Sequence, residues 1–311
     1  MVTNKTRREL VIRAAWLYHE RGLNQQAVAD RLGISRSTIS RLLADAEREG
    51  IVRVTVTESL PESARLAENL IEQYALKGAT VELALGNELP MDAAATAMAR
   101  RLENMVAAGP VTIAAGWGRT LGRAAQIARN IHTSGVTLVD AFGHTTTEAI
   151  APAVEVTNNL GQKFGAPVTH IPSPGFAEST VIADNFLASN SVSTTLDRAR
   201  AADVVIVAVG VASMDSLLVS AGYLDGAVMK KLIEAGAVGE VFGRYFDAAG
   251  NAVMPDALHP ISLTLDDLRN ARRVIAAAGG AEKTAAIRGA LAAGIIDELA
   301  TDDSLAKVLA G

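Results

Sequence analysis

The chain has 311 residues, 49% of them hydrophobic and 20% charged, enough apolar side chains for one small and one large core. It contains no cysteine, so disulfides, thiolate metal sites and a cysteine nucleophile are excluded, and a reducing cytoplasm is the expected compartment. The net charge of −5 hides an asymmetry: ten Lys/Arg face seven Asp/Glu through Glu58, so a head of +3 precedes a body of −8.

The opening MVTNKTRREL lacks the apolar core of a secretion signal. No apolar run reaches about 18 residues without a charge, so no membrane span is expected. A first helix is expected over Thr6–Glu20, opened by a capping box at Thr6–Glu9. Leu10, Ala14, Leu17 and the ring of Tyr18 or Trp16 would pack on the helices of the next segment.

The stretch Gln25–Ala44 reads as two short helices joined by a tight turn. Val28, Ala29 and Leu32 share one face of the first helix; Ile39, Leu42 and Leu43 share one face of the second. Asn24 is a suitable cap for the first, Gly33 sits where the backbone must turn, and Ser35 can cap the second. Ile34 would plug the turn. This is the pattern of a helix-turn-helix, whose second helix lies in the major groove of DNA. Its outward face carries Arg36, Ser37, Thr38, Ser40 and Arg41, short hydrogen-bonding groups bracketed by guanidiniums, which suits base edges and phosphates. An ordinary helical hairpin with a solvated polar face is the alternative.

Beyond Gly50, Val52, Val54 and Val56 alternate with Arg53, Thr55 and Thr57, predicting a wing or short ribbon. Arg53 is either a contact to the DNA backbone or a solvated edge residue. A second capping box at Ser59–Glu62 opens a helix to about Leu76 that carries Leu66, Leu70 and Tyr74. The expected domains are therefore 1–58 and 59–311. That helix can pair between subunits or bury itself against its own body.

From Thr80 the pattern becomes apolar runs alternating with helical segments. Strands are expected at Thr80–Ala84, Val111–Ala115, Thr137–Ala141, Val168–Ile171, Asp203–Val209 and Val274–Ala278. Helices are expected at Met91–Val106, Leu121–Arg129, Glu148–Phe164, Ser179–Leu187 and Ala227–Ala235. The tail adds a helix at Glu282–Ala293, a strand near Asp297–Ala300 and a last helix from Asp303. The fold class is α/β: a winged helix-turn-helix followed by a doubly wound, mostly parallel sheet covered on both faces.

Ligands of such sheets bind beyond the carboxyl ends of the strands. After Val111–Ala115 comes GWGRT. Gly116 and Gly118 let backbone N–H groups approach an anion, Thr120 offers a hydroxyl, and Arg119 and Arg123 lie near a helix N-terminus. Further strand ends carry Gly143, His144 and Thr145, Gly210, and Gly279–Gly280 followed by Glu282 and Lys283; Glu240 and Asp247 flank a turn between them. Donors for a phosphate and carboxylates for hydroxyls suit a phosphorylated sugar or polyol. The plain alternatives are a structural turn at GWGRT, a structural His144, a solvated Lys283 and an Asp247 that only caps its turn.

The helix-turn-helix, GWGRT, DRARAADVVIVAVG, AGYL, GAVGEVFGRYFDAAGNAV, ISLTLDDLRNARRVIAAAGGAEKTAAIRGAL and GIIDELATDDSLAKVL together resemble the SorC family of bacterial sugar-responsive transcriptional regulators, along essentially the whole chain. The resemblance implies a C-terminal domain related in fold to sugar-phosphate isomerases and deaminases. It also implies a phosphorylated sugar or related metabolite as effector and commonly a homotetramer built from dimers, while the helix-turn-helix makes double-stranded operator DNA the expected partner. It carries over an effector pocket at Gly116, Gly118, Thr120, Gly143, His144, Glu240 and Lys283. Phe142-Gly143-His144 departs from the Gly-Gly pair of many members, and no lysine stands at that strand end to form a Schiff base. No metal or cofactor is expected. The rivals are an isomerase or deaminase with a DNA-binding head, for which no compact acid/base constellation is visible, and a regulator of an unphosphorylated ligand.

Overall fold

The computed structural model describes residues 4–52, 61–145, 152–253, 255 and 257–311, with side chains from residue 7. The chain divides into two compact units, Met1–Leu60 and Pro61–Gly311.

The described residues of the head form three α-helices: α1 (Asn4–Ala15), α2 (Gln25–Leu32) and α3 (Arg36–Arg48). Helix α1 begins before Thr6, so the expected capping box at Thr6–Glu9 lies inside it. The helix continues as a wider π-turn over Trp16–Glu20. Tyr18 packs on the core, whereas Trp16 is exposed and takes the Arg21 guanidinium 4.6 Å from its ring centre. Val11, Ala14, Leu17, Val28, Ala29, Ile39, Leu42 and Leu43 form the core, with Ile34 half-buried against it. Both caps form: Asn24 accepts from the Ala27 N–H at 2.9 Å and Ser35 from the Thr38 N–H at 3.2 Å. Gly33 adopts φ 67, ψ 31, the left-handed conformation the turn requires. Val52 packs on this core; the rest of the expected wing, Arg53 included, lies outside the described residues.

The body opens with α4 (Glu62–Tyr74), whose N-cap is Pro61, so Glu62 is the first helical residue rather than the third position of a capping box; Ser59 lies outside the described residues. Leu66 and Leu70 are buried in the body core and the Tyr74 hydroxyl donates to the Leu309 carbonyl at 2.8 Å, so this helix spends its apolar stripe on its own unit.

In chain order there follow β1 (Gly78–Glu82), α5 (Pro90–Ala108), β2 (Val111–Ala115), α6 (Arg119–Ile127), β3 (Val136–Asp140), α7 (Ala153–Phe164) and β4 (Val168–Thr169). Next come β5 (Phe176–Ala177), α8 (Thr180–Ala188), α9 (Asn190–Arg200), β6 (Val204–Ala208), β7 (Gly210–Val211), α10 (Leu217–Ser220) and α11 (Gly226–Glu234). The chain closes with β8 (Ala237–Val241), β9 (Arg244–Asp247), β10 (Ala252–Val253), β11 (His259–Pro260), α12 (Leu265–Arg269), β12 (Val274–Ala278), α13 (Thr284–Ala292), β13 (Glu298–Asp302) and α14 (Asp303–Ala310). The part of the expected Glu148 helix before Pro152 lies outside the described residues.

Seven strands form one parallel sheet in the order β1-β13-β12-β6-β2-β3-β4. Alternation sorts its residues to two faces. Ile113, Leu138, Ile206 and Ile275 pack under α5, α6 and α7; Ala114, Val139, Val205 and Ala276 face the other core, with α4, α9, α13 and α14. Helices on both faces are the doubly wound arrangement expected from the apolar runs. A second, antiparallel sheet, β10-β9-β8-β7, was not expected. Its strands run two to five residues, and β7 and β8 carry glycines, so they leave no periodic signal.

Candidate functional site

The strand order reverses between β2 and β6. From β2 the chain winds outward to β3 and β4; from β6 it winds the opposite way to β12 and β13. Connections leaving two neighbouring strands in opposite directions open a crevice at their carboxyl ends. A cavity of about 380 Å³ occupies that place. It is lined by Trp117–Thr120 after β2, Ala208–Val211 after β6, Gly279, Glu282 and Lys283 after β12, and Glu240 and Tyr245 from the antiparallel sheet.

Three devices shape it. Gly118 is the N-cap of α6 with φ 128, a conformation other residues rarely adopt, and no side chain caps this helix. Gly118, Arg119 and Thr120 line the cavity, so the first turn of α6 borders it, and the helix dipole favours an anion there. Second, the buried Asp302 carboxylate at the end of β13 accepts from the Gly280 N–H at 2.9 Å and from the Ser304 N–H and hydroxyl. That fixes the double-glycine turn before Lys283, whose Nζ donates to the Val209 carbonyl at 2.9 Å. Burial lowers the Lys283 pKa, with Glu282 and Glu240 opposing the fall and Arg119 adding to it. Third, Phe242 and Gly243 link β8 to β9 with φ 58 and 73, a two-residue turn of the kind that matches strand twist. It sets Glu240 directly opposite Tyr245.

Glu240 is buried and accepts from the Gly243 N–H at 2.8 Å. Desolvation raises its pKa to about 7, with that hydrogen bond and Lys283 holding it back. A Cβ on Gly210 would meet Glu240 Oε1 at 2.2 Å, so the glycine makes room for the carboxyl. Tyr245 is fully buried, its hydroxyl has no hydrogen-bond partner among the described residues, and burial raises its pKa well above the usual tyrosine range.

The cavity thus gathers Gly118, Arg119, Thr120, Gly210, Glu240 and Lys283. The other expected residues lie apart from its lining. A Cβ on Gly116 would fall 2.3 Å from the Phe242 ring, so this glycine admits an aromatic rather than an anion. Phe142 fills the space beyond β3, stacked on Trp117 at 5.5 Å and meeting Phe176 edge-on at 5.2 Å. Gly143 is pressed against the Pro174 carbonyl, 2.3 Å from where a Cβ would sit, and donates to Ile261 at 2.9 Å. His144 is exposed and its N–H donates to Ser173 at 2.9 Å. Asp247 caps its own hairpin, accepting from the Ala249 and Asn251 N–H groups at 2.9 Å each and from the Asn251 side chain, which lowers its pKa. Arg123 is held by Asp92 at 3.0 Å. Tyr245 was missed; the two-residue turn FG pairs Glu240 with the residue five places on, and that spacing was the available signal.

On the head, Arg36, Ser37, Ser40 and Arg41 are exposed and Thr38 is half-buried. The Ser37 and Thr38 hydroxyls lie 3.0 and 2.8 Å from Ser35 Oγ, within the cap of α3. The Arg41 Nε donates to the Ser37 carbonyl at 3.4 Å, and among the described residues no carboxylate pairs with Arg36 or Arg41.

Two family models match the chain. A family model for a sugar-binding domain matches residues 59–310, and one for a homeodomain-like domain matches 5–54. The chain is 31% identical to the erythritol catabolism regulatory protein EryD of Brucella abortus over 97% of this chain and 96% of the other. It is 30% identical to the transcriptional regulator LsrR of an Enterobacter species, over 98% and 93%. The full-length sorbitol operon regulator SorC of Klebsiella pneumoniae shares the fold with a TM-score of 0.71 at 24% identity, covering 97% of this chain and 99% of that one. No helix of the described residues is long and apolar enough to cross a membrane.

Proposed function

Since the chain belongs to the SorC family of sugar-binding, helix-turn-helix transcriptional regulators, we propose that it governs a carbohydrate or polyol catabolic operon in response to a phosphorylated effector held in the reversal cavity. The observation that carries the effector half is the uncapped N-terminus of α6, opening at Gly118 beside Arg119 and Lys283. A helix N-terminus with two cations takes a phosphate without further chemistry. In this scheme Thr120 adds a hydroxyl, and Glu240 accepts from sugar hydroxyls. The reading is of binding rather than turnover, in keeping with relatives named as regulators.

On the DNA side, Arg36 and Arg41 set register on phosphates while Ser37, Thr38 and Ser40 meet base edges. Symmetric half-sites are read by a homo-oligomer, a tetramer in the proposed scheme. The effector binds one arrangement of the bodies more tightly, and that differential affinity is what moves the heads. A thermal-shift screen of phosphorylated and free sugars and polyols tests the proposal, since a ligand of the native state raises the melting temperature. Phosphorylated compounds should stabilise the protein and change its grip on an operator selected in vitro. Stabilisation by free sugars alone would remove the phosphate from the scheme.

A further inference from the structure

The cavity also carries a cross-strand polar pair. Tyr245 on β9 stands directly across from Glu240 on β8, and both line the cavity. Buried polar groups nearly always find a partner, because losing water without replacement costs free energy. The Tyr245 hydroxyl is buried and has none among the described residues. Among the described residues Thr145 and Thr301 also carry buried unpartnered hydroxyls, but neither lines the cavity. Too buried to ionise, the phenol stays an O–H donor across the working pH range. The carboxyl beside it accepts when ionised and both donates and accepts when protonated.

We propose that Tyr245 is a specificity-determining residue: with Glu240 it reads two adjacent oxygens on the carbon chain of a phosphorylated polyol or sugar, and so selects a vicinal diol against its deoxy analogue. This rests on the phosphorylated effector proposed above, with the phosphate at Gly118–Thr120 and Lys283. A site built to hydrogen-bond a hydroxyl rejects the analogue lacking it, because its own buried groups are left unpaired.

The test is calorimetric titration of the full chain and of Tyr245→Phe. The probes are inorganic phosphate and two matched pairs: erythritol phosphate with butanediol monophosphate, and ribose phosphate with deoxyribose phosphate. The wild type should favour the hydroxylated member of at least one pair by about tenfold or more, and Tyr245→Phe should lose most of that preference. The melting temperature of the free variant should equal or exceed that of the wild type, since phenylalanine deletes only an unsatisfied group. An equal preference in the two proteins overturns the inference alone, as does a melting point several degrees lower in the variant, which would reveal a structural partner for the hydroxyl. Failure of every probe, inorganic phosphate included, overturns the phosphorylated-effector reading and this inference with it.

Discussion

Burial leaves Glu240 holding its proton up to about pH 7, against 4.5 for the ordinary side chain. Between those two values the folded protein retains a proton that the unfolded chain has released. Raising the pH through that window therefore lowers stability; the loss is absent below 4.5 and complete above about 7. Glutamine at this position never ionises. Glu240→Gln should gain melting temperature relative to the wild type progressively across the window and hold that gain above it. A difference that stays flat with pH would mean the carboxyl is solvated. Desolvation also lowers the Lys283 pKa, and the Val209 carbonyl holds its ammonium at 2.9 Å. These two residues were legible as types, a carboxylate and a lysine near strand ends. Their meeting in one cavity was not, because it depends on the β8–β9 hairpin bringing Glu240 to the end of β12. Asp247, on the same hairpin, looked equivalent in the sequence but points its oxygens at its own turn.

At the scale of elements, the turn Phe242–Gly243 couples packing to the cavity. Phe242 holds φ 58, an expensive conformation for a bulky residue, with its ring seated where Gly116 leaves room. Gly116→Ala would place a Cβ 2.3 Å from that ring, so the ring and then the hairpin carrying Glu240 and Tyr245 must shift. We expect Gly116→Ala to weaken the effector response by about tenfold or more, a 1 Å displacement in a pre-formed site being costly, while DNA binding by the head persists. A wild-type response in an operator-release assay would show that Gly116 is a simple turn. The head elements were the most legible, because Asn24, Gly33 and Ser35 act within four residues of their partners. The antiparallel sheet was the least, because two-residue strands such as β7 and β10 exist only through their neighbours.

For the whole molecule, the +3 head and −8 body separate the two tasks. Binding of the head to DNA should weaken steeply with salt, since each phosphate contact releases counterions. Arg36→Ala and Arg41→Ala should each lower affinity and reduce the slope of log affinity against log salt by about 1. Fluorescence anisotropy on a selected operator measures both quantities, and an unchanged slope would take that arginine off the phosphates.

What the residues alone determined is whatever acts over short distances or by repetition. The helix-turn-helix comes from caps and faces within twenty residues. The parallel sheet comes from apolar runs such as Val274–Ala278, which only burial on both faces explains. Which strand ends share a cavity is a different kind of fact. The end of β3, with Gly143 and His144, reads like the end of β2, yet Phe142 fills the space there and the cavity opens between β2 and β6. Strand order is fixed by contacts between residues far apart in the chain. The turn Phe242–Gly243 pairs Glu240 with Tyr245 locally, but only the folded protein brings that pair to the cavity between β2 and β6 and buries the Tyr245 hydroxyl with no partner among the described residues.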